Sequence, residues 1–168
     1  MVRVIVAGCA GRMGRRITTL GLSHSQCMVV GVFEQKGNPA VGHDIGEILG
    51  MGKTNLIVAP SLAEIIGRGD VIIDFTSPEA TIEHMRFAVR ARKKMVIVTT
   101  GLAARELRHI KMAARHIPIV CAPNMSVGVN LLFKLSRMVA SVLDDTYDIE
   151  IVEVHHKFKK DAPSGTAL

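Results

Sequence analysis

Aromatic side chains are scarce in this chain: 4% of its 168 residues, with no tryptophan and a single tyrosine. A core of stacked rings is thereby excluded. Val, Ile, Leu, Met and Ala must supply the apolar volume, which suits a sheet buried on both faces by helices. Cysteine is scarce too. Cys9, Cys27 and Cys121 are odd in number, widely spaced and without a Cys-x-x-Cys pair. Neither a disulfide scaffold nor a metal site is expected from them, and reduced thiols in a cytoplasmic protein fit best. No run approaches the roughly 18 apolar residues needed to span a bilayer. The opening MVRVIVAG is too short for a signal peptide and lacks its cleavage pattern, so no membrane partner is expected. No internal repeat or low-complexity tract occurs.

What remains is 48% hydrophobic and 21% charged, a balance that folds and that allows one buried domain plus part of a second. The formal net charge of +6 and the pI near 9.6 favour anionic partners. Nucleic acid is not expected, since no nucleic-acid motif and no interleaving of aromatic with basic residues is present. A cofactor pyrophosphate or an acidic substrate explains the charge as well, and Arg86 to Lys94 reads as a solvated basic face.

The hydrophobic pattern alternates strand and helix. Val2 to Ala7 is β-branched, apolar and followed at once by glycine. Arg12 to Leu20 reads as a helix with Met13, Ile17 and Leu20 on one face, and Met28 to Phe33 as the next strand. Glycines and Pro39 punctuate residues 35 to 55 too often for a regular element. Ser61 is expected to cap a short helix through Ile66. Val71 to Phe75 is a strand, and Ser77-Pro78 is a helix start, where serine accepts from an orphan N–H and proline loses no bond. That helix runs to Arg92. Met95 to Thr99, Ala103 to Arg115 and Ile117 to Cys121 continue the alternation as strand, helix and strand. The expectation is an α/β fold, a Rossmann-type doubly wound parallel sheet. After residue 125 the pattern changes to a helix from Val129 to Leu143, with Leu132, Leu135, Val139 and Val142 at helical spacing, and a strand from Tyr147 to His155. Residues 1–125 are therefore expected to form a dinucleotide-binding domain, and 126–168 the start of a smaller α+β substrate domain.

The first loop, Gly8-Cys9-Ala10-Gly11-Arg12-Met13-Gly14, is a G-x-x-G-x-x-G variant lying between strand and helix. Its glycines would serve the sharp turn, the close approach of backbone to pyrophosphate, and tight packing of helix on strand. The helix N-terminus beyond it favours phosphate. Glu34 closes the second strand, where an acid meets the adenosine ribose hydroxyls. Lys36 leaves a 2′-phosphate open, and the neutral Gln35 argues for no strong NADP demand. Thr99-Thr100-Gly101 and Ala122-Pro123-Asn124-Met125 also follow strand ends, the edge at which a doubly wound sheet binds ligands. Ordinary turn chemistry is the competing reading of both.

The segment Glu153-Val154-His155-His156-Lys157-Phe158-Lys159-Lys160-Asp161-Ala162-Pro163-Ser164-Gly165-Thr166 is the richest in reactive groups. A strand through His155 and His156 would aim them at opposite faces. Histidine suits proton transfer near neutral pH, Lys159 supplies a cation, and Gly165-Thr166 at a helix start capped by Ser164 would hold an anion. An acidic substrate fits this set. The competing reading is a basic surface turn. A metal is not expected, because adjacent strand histidines rarely share one ion and no third ligand is suitably spaced.

With VIVAGCAGRMGR and APNMSVGVN, the segment VEVHHKFKKDAPSGTAL resembles the dihydrodipicolinate reductase family along the whole chain. The resemblance implies NADH or NADPH as cofactor and reduction of a cyclic dicarboxylate, 4-hydroxy-tetrahydrodipicolinate, in lysine and diaminopimelate synthesis. It implies that His155 is the proton donor or acceptor, that Lys159 donates a proton, and that His156, Gly165 and Thr166 hold the substrate carboxylate. Gly8, Cys9, Ala10, Gly11, Arg12 and Met13 match the pyrophosphate loop, and Glu34 the ribose contact. Val98, Thr99 and Thr100 match the loop beside the nicotinamide, and Ala122, Pro123, Asn124 and Met125 the second cofactor loop. Val98 stands where the family commonly has glycine, and Gln35 where many members have arginine. Family members are longer and tetrameric, so the chain reads as a fragment of a homo-oligomeric enzyme. A non-catalytic dinucleotide-binding module or an inactive fragment is the alternative.

Overall fold

The structure, a computed structural model, describes residues 1–157 and 162–167. Two compact units are distinct, Met1–Cys121 and Ala122–Leu168. The first holds a six-stranded sheet: β1 (Val2–Ala7), β2 (Cys27–Phe33), β3 (Val58–Ala59), β4 (Val71–Asp74), β5 (Lys94–Ile97) and β6 (Ile119–Cys121). Their order is β3-β2-β1-β4-β5-β6 and every pairing is parallel. This is the Rossmann order, whose direction of winding reverses beside β1.

Strand β1 shows why both faces are covered. Its alternate side chains enter two cores. Val4 and Val6 join Val29, Val32, Val58 and Ile45 on one face, backed by Ile17 of helix α1 (Arg12–Ser23). Ile5 and Ala7 join Phe33, Ile72, Ile97 and Met95 on the other. Helices α3 (Pro78–Arg90) and α4 (Ala104–Ala113) close that second face with Met85, Ala88, Ile110 and Ala113. Ser77 caps α3, its Oγ accepting from the Ala80 N–H at 3.3 Å, and Pro78 occupies the first turn.

Four expectations need correction. The inward face of α1 is Gly14, Ile17 and Thr18, while Met13 and Leu20 are half exposed. The helix is pressed onto the sheet at Gly14, so residues three and four further on turn inward with it. The glycine-rich stretch 35–55 contains one short helix, α2 (Ile45–Ile48), capped by Asp44, whose Oδ1 accepts from the Gly46 N–H at 2.8 Å. Ser61 makes no side-chain cap; two 3-10 turns, Leu62–Glu64 and Ile66–Arg68, follow it. Paired β-branched residues and two glycines in Ile65-Ile66-Gly67-Arg68-Gly69 disfavour a continuous helix.

The fourth correction falls in the second unit, where the one helix among the described residues is α5 (Val127–Val142), started by a Ser126 cap. No strand is present over Tyr147–His155. A strand is stable only as a paired ladder, and the described residues of this unit include no second strand. Ile149, Ile151, Val152 and Val154 are accordingly exposed, as are Leu132, Leu135, Val139 and Val142 on α5.

Candidate functional site

The dinucleotide loop is built by close backbone contacts. Gly8 follows β1 with φ of 63°, a conformation that favours glycine. Its N–H donates to the Phe33 carbonyl, and its own carbonyl accepts from the Gly11 N–H, both at 3.0 Å. A Cβ on Gly14 would overlap the Gly8 carbonyl and lie 2.7 Å from the Cys9 Cα. Gly11 offers no side chain to cap α1, which leaves the first-turn N–H groups at Arg12 and Met13 without a side-chain cap. An uncapped helix start behind a loop with no room for a Cβ at Gly8 or Gly14 fits a pyrophosphate.

Cys9 is fully buried, and burial, reinforced by the charge of Glu34, pushes its thiol up to about 12. It offers the site only its backbone. Glu34 is 9% exposed, and its Oε1 accepts from the Ala10 N–H at 2.8 Å. The acid expected at the ribose thus also braces the loop. On the other side of β1, a Cβ at Gly8 would meet the Thr76 Cγ2 at 2.9 Å, so the loops after β1 and β4 touch where the winding reverses. A cavity of about 780 Å³ opens here, lined among others by Gly8, Glu34, Lys36, Thr76, Ser77 and His84.

Sequence reasoning missed the polar cluster behind this cavity. Asp74, fully buried at the end of β4, accepts at Oδ1 from the Thr76 N–H (2.9 Å), the Thr76 hydroxyl (2.6 Å) and the Thr81 hydroxyl (3.2 Å). Its Oδ2 lies 2.7 Å from His84 Nδ1. Burial works against the charged carboxylate, yet the His84 contact and the Thr76 donors outweigh it and hold the Asp74 carboxyl below its ordinary range. Thr81 and Thr99 share a hydroxyl contact of 2.7 Å. A strand ending in an acid, with threonines and a histidine at helical spacing after it, was the available signal. Of the expected nicotinamide loop, Val98 and Thr99 are buried and Thr100 is exposed, followed by Gly101 with φ of 74°.

In the second unit, two expected site segments meet. Asn124 Nδ2 donates to the Thr166 Oγ1 at 3.2 Å, and Asn124 Oδ1 accepts from the Ser126 N–H at 2.9 Å. A Cβ added to Gly165 would lie 2.8 Å from the Pro123 Cβ, so Ala122–Met125 and Gly165–Thr166 pack together because residue 165 has no side chain. Gly165 and Thr166 lie in a turn, with Ser164 Oγ accepting from the Ala167 N–H at 3.2 Å. The Ser164 N–H donates to Glu153 Oε1 at 2.9 Å, and Glu153 Oε2 lies 3.6 Å from His155 Nδ1. His155 and His156 are both exposed. Lys159, the expected proton donor, lies outside the described residues.

A family model described as dihydrodipicolinate reductase, N-terminus, matches residues 2–125, and one described as dihydrodipicolinate reductase, C-terminus, matches 128–168. The chain belongs to the dihydrodipicolinate reductase family. Curated relatives named 4-hydroxy-tetrahydrodipicolinate reductase agree: those of Syntrophus aciditrophicus and Desulfotalea psychrophila are each 51% identical over 100% of this chain. The chain spans 63% and 62% of their lengths. Among solved structures, a dipicolinate-bound dihydrodipicolinate reductase from Paenisporosarcina sp. TG-14 is similar, with a TM-score of 0.74 and 28% identity. That match covers 99% of this chain and 63% of the other. An aspartate semialdehyde dehydrogenase from Candida albicans, at 12% identity and a TM-score of 0.53, shares the fold alone. Among the described residues no helix is long and apolar enough to cross a membrane.

Proposed function

We propose that this chain is the dinucleotide-binding part, with the beginning of the substrate-binding part, of an NADH- or NADPH-dependent 4-hydroxy-tetrahydrodipicolinate reductase of lysine and diaminopimelate synthesis. The observation that carries the reading is 51% identity to named reductases over the chain's full length, including the His155–Thr166 segment. The glycine loop at the reversal point of a 3-2-1-4-5-6 sheet supports it.

The bound nicotinamide supplies the hydride. Gly8 to Met13 hold its pyrophosphate through backbone N–H groups, and Glu34 accepts from the ribose hydroxyls with the carboxylate capacity that Ala10 leaves. Lys36 beside Glu34 would admit a 2′-phosphate. Val98 to Thr100 and Ala122 to Met125 would each supply contacts to the cofactor. Thr166 Oγ1 already accepts from Asn124, so its own O–H is left to donate to a substrate carboxylate, together with His156 and the Gly165 N–H. Glu153 beside His155 Nδ1 orients a ring that gives or takes the proton at the dicarboxylate, with Lys159 as the second proton source. The substrate is a small cyclic dicarboxylate. We place the protein in the cytoplasm as a homo-oligomer, on the nature of the family's reaction and its unpaired cysteines.

The test is titration of NADH into the chain with and without pyridine-2,6-dicarboxylate. Binding that tightens with the dicarboxylate supports both half-sites. NADH binding without that coupling would leave a dinucleotide module, with catalysis dependent on the length that relatives possess beyond this chain. In a full-length relative-sized protein, His155→Gln should lower kcat by roughly 10²–10⁴; unchanged kcat would remove His155 from the role.

A further inference from the structure

His84 is held more rigidly than a histidine in a solvated helix turn. Its Nδ1 lies 2.7 Å from Asp74 Oδ2, and its ring meets the edge of Phe33 at a centroid distance of 4.8 Å and an angle of 87°. The other carboxylate oxygen, Oδ1, is filled by three donors from Thr76 and Thr81. An ionised Asp74 has no proton to give, so Nδ1 carries the hydrogen, and in the neutral ring Nε2 is an acceptor. Nε2 has no hydrogen bond and is not a buried atom. The side chain lines the same cavity as Gly8 and Glu34.

We propose that His84 reads the base of the dinucleotide: Nε2, made an acceptor by Asp74, takes a hydrogen bond from the exocyclic amino group of adenine. This rests on the dinucleotide reading above. The shared cavity supports it, because His84 lines the same space as the phosphate loop at Gly8 and the ribose acid Glu34, so the adenosine half of the dinucleotide comes within its reach. A site that hydrogen-bonds a particular group rejects the analogue that lacks it. Asp74 therefore sets specificity through a tautomer, as a positioning residue that touches no ligand.

The arrangement predicts an inversion. In Asp74→Asn, the amide oxygen stays at the Oδ1 position, where Thr76 and Thr81 donate. The amide NH2 then faces His84 Nδ1 and donates to it, which moves the ring hydrogen to Nε2. A donor at Nε2 suits the 6-oxo group of hypoxanthine and repels the amine of adenine.

The experiment titrates NADH and deamino-NADH, which carries a 6-oxo group, into the intact chain at about pH 8. The wild type should bind NADH roughly tenfold more tightly, the worth of one hydrogen bond. Asp74→Asn should reverse the order, and His84→Phe should bind both alike; the second variant decides if the first does not fold. Equal affinities in the wild type, or an unchanged preference in either variant, overturns the assignment of His84 while leaving the dinucleotide site standing. A wild type that binds neither dinucleotide overturns both readings.

Discussion

The N–H of Ala10 donates to Glu34 Oε1 at 2.8 Å across the gap between the glycine loop and the end of β2. One carboxylate therefore braces the glycine loop and, on the proposed reading, also meets a ribose. Glu34→Ala should weaken NADH binding by roughly tenfold or more, as expected for a hydrogen bond to a charged group. Fluorescence titration checks this. An unchanged Kd would mean that the loop keeps its form without Glu34 and that the ribose is held elsewhere.

Gly14→Ala should destabilise the first unit by about 1–3 kcal/mol or more, the cost of overpacking. The added carbon would lie 2.7 Å from the Cys9 Cα, and backbone cannot move aside as a side-chain tip can. Gly67→Ala is the control, since no atom lies within 4 Å of its added carbon. Thermal unfolding of both variants should show a fall for the first alone.

Acid should weaken the fold through Asp44. Burial disfavours its charge, but the Thr54 hydroxyl and N–H and the Gly46 N–H outweigh that and hold its carboxyl at about 2. A carboxyl with a depressed folded pKa stabilises above its ordinary value of 3.8 and loses that contribution as pH falls towards about 2. Asp70, held at about 2 by the Arg3 side-chain hydrogen bond, acts in the same window. Asp44→Asn should show a shallower decline in melting temperature between about pH 4 and pH 2 than the wild type.

Thiol chemistry should divide the cysteines. Cys9 is fully buried with its thiol at about 12, whereas Cys121 is exposed. An alkylating reagent at neutral pH should label Cys121 in the native chain and reach Cys9 only on unfolding, because the thiolate is the nucleophile. Mass mapping of labelled peptides reads the order directly. Early labelling of Cys9 would mean that the glycine loop opens in solution.

The alternation of apolar strands with amphipathic helices was legible from residue 2 to residue 121, because a parallel sheet buries both faces and writes that burial into local composition. The glycine loop was legible because its tight turn and close packing depend on glycine spacing next to a strand end. Strand Val58–Ala59 was not: two residues carry no period, and only pairing with Val32 and Phe33 makes them a strand. The strand expected at Tyr147–His155 failed for the converse reason, since alternation without a neighbour to pair with forms no ladder.

The sequence by itself determined the class of fold, the family and the segments that bear reactive side chains, because each is encoded in short-range patterns of residue type. Which residues act together was decided by the tertiary structure. Asp74 and His84 meet because a strand end and the second turn of the following helix converge on one cavity. Asn124 and Thr166, 42 positions apart, meet because Gly165 leaves room against Pro123. Distances of this kind depend on packing between elements far apart in the chain, and no local pattern contains them.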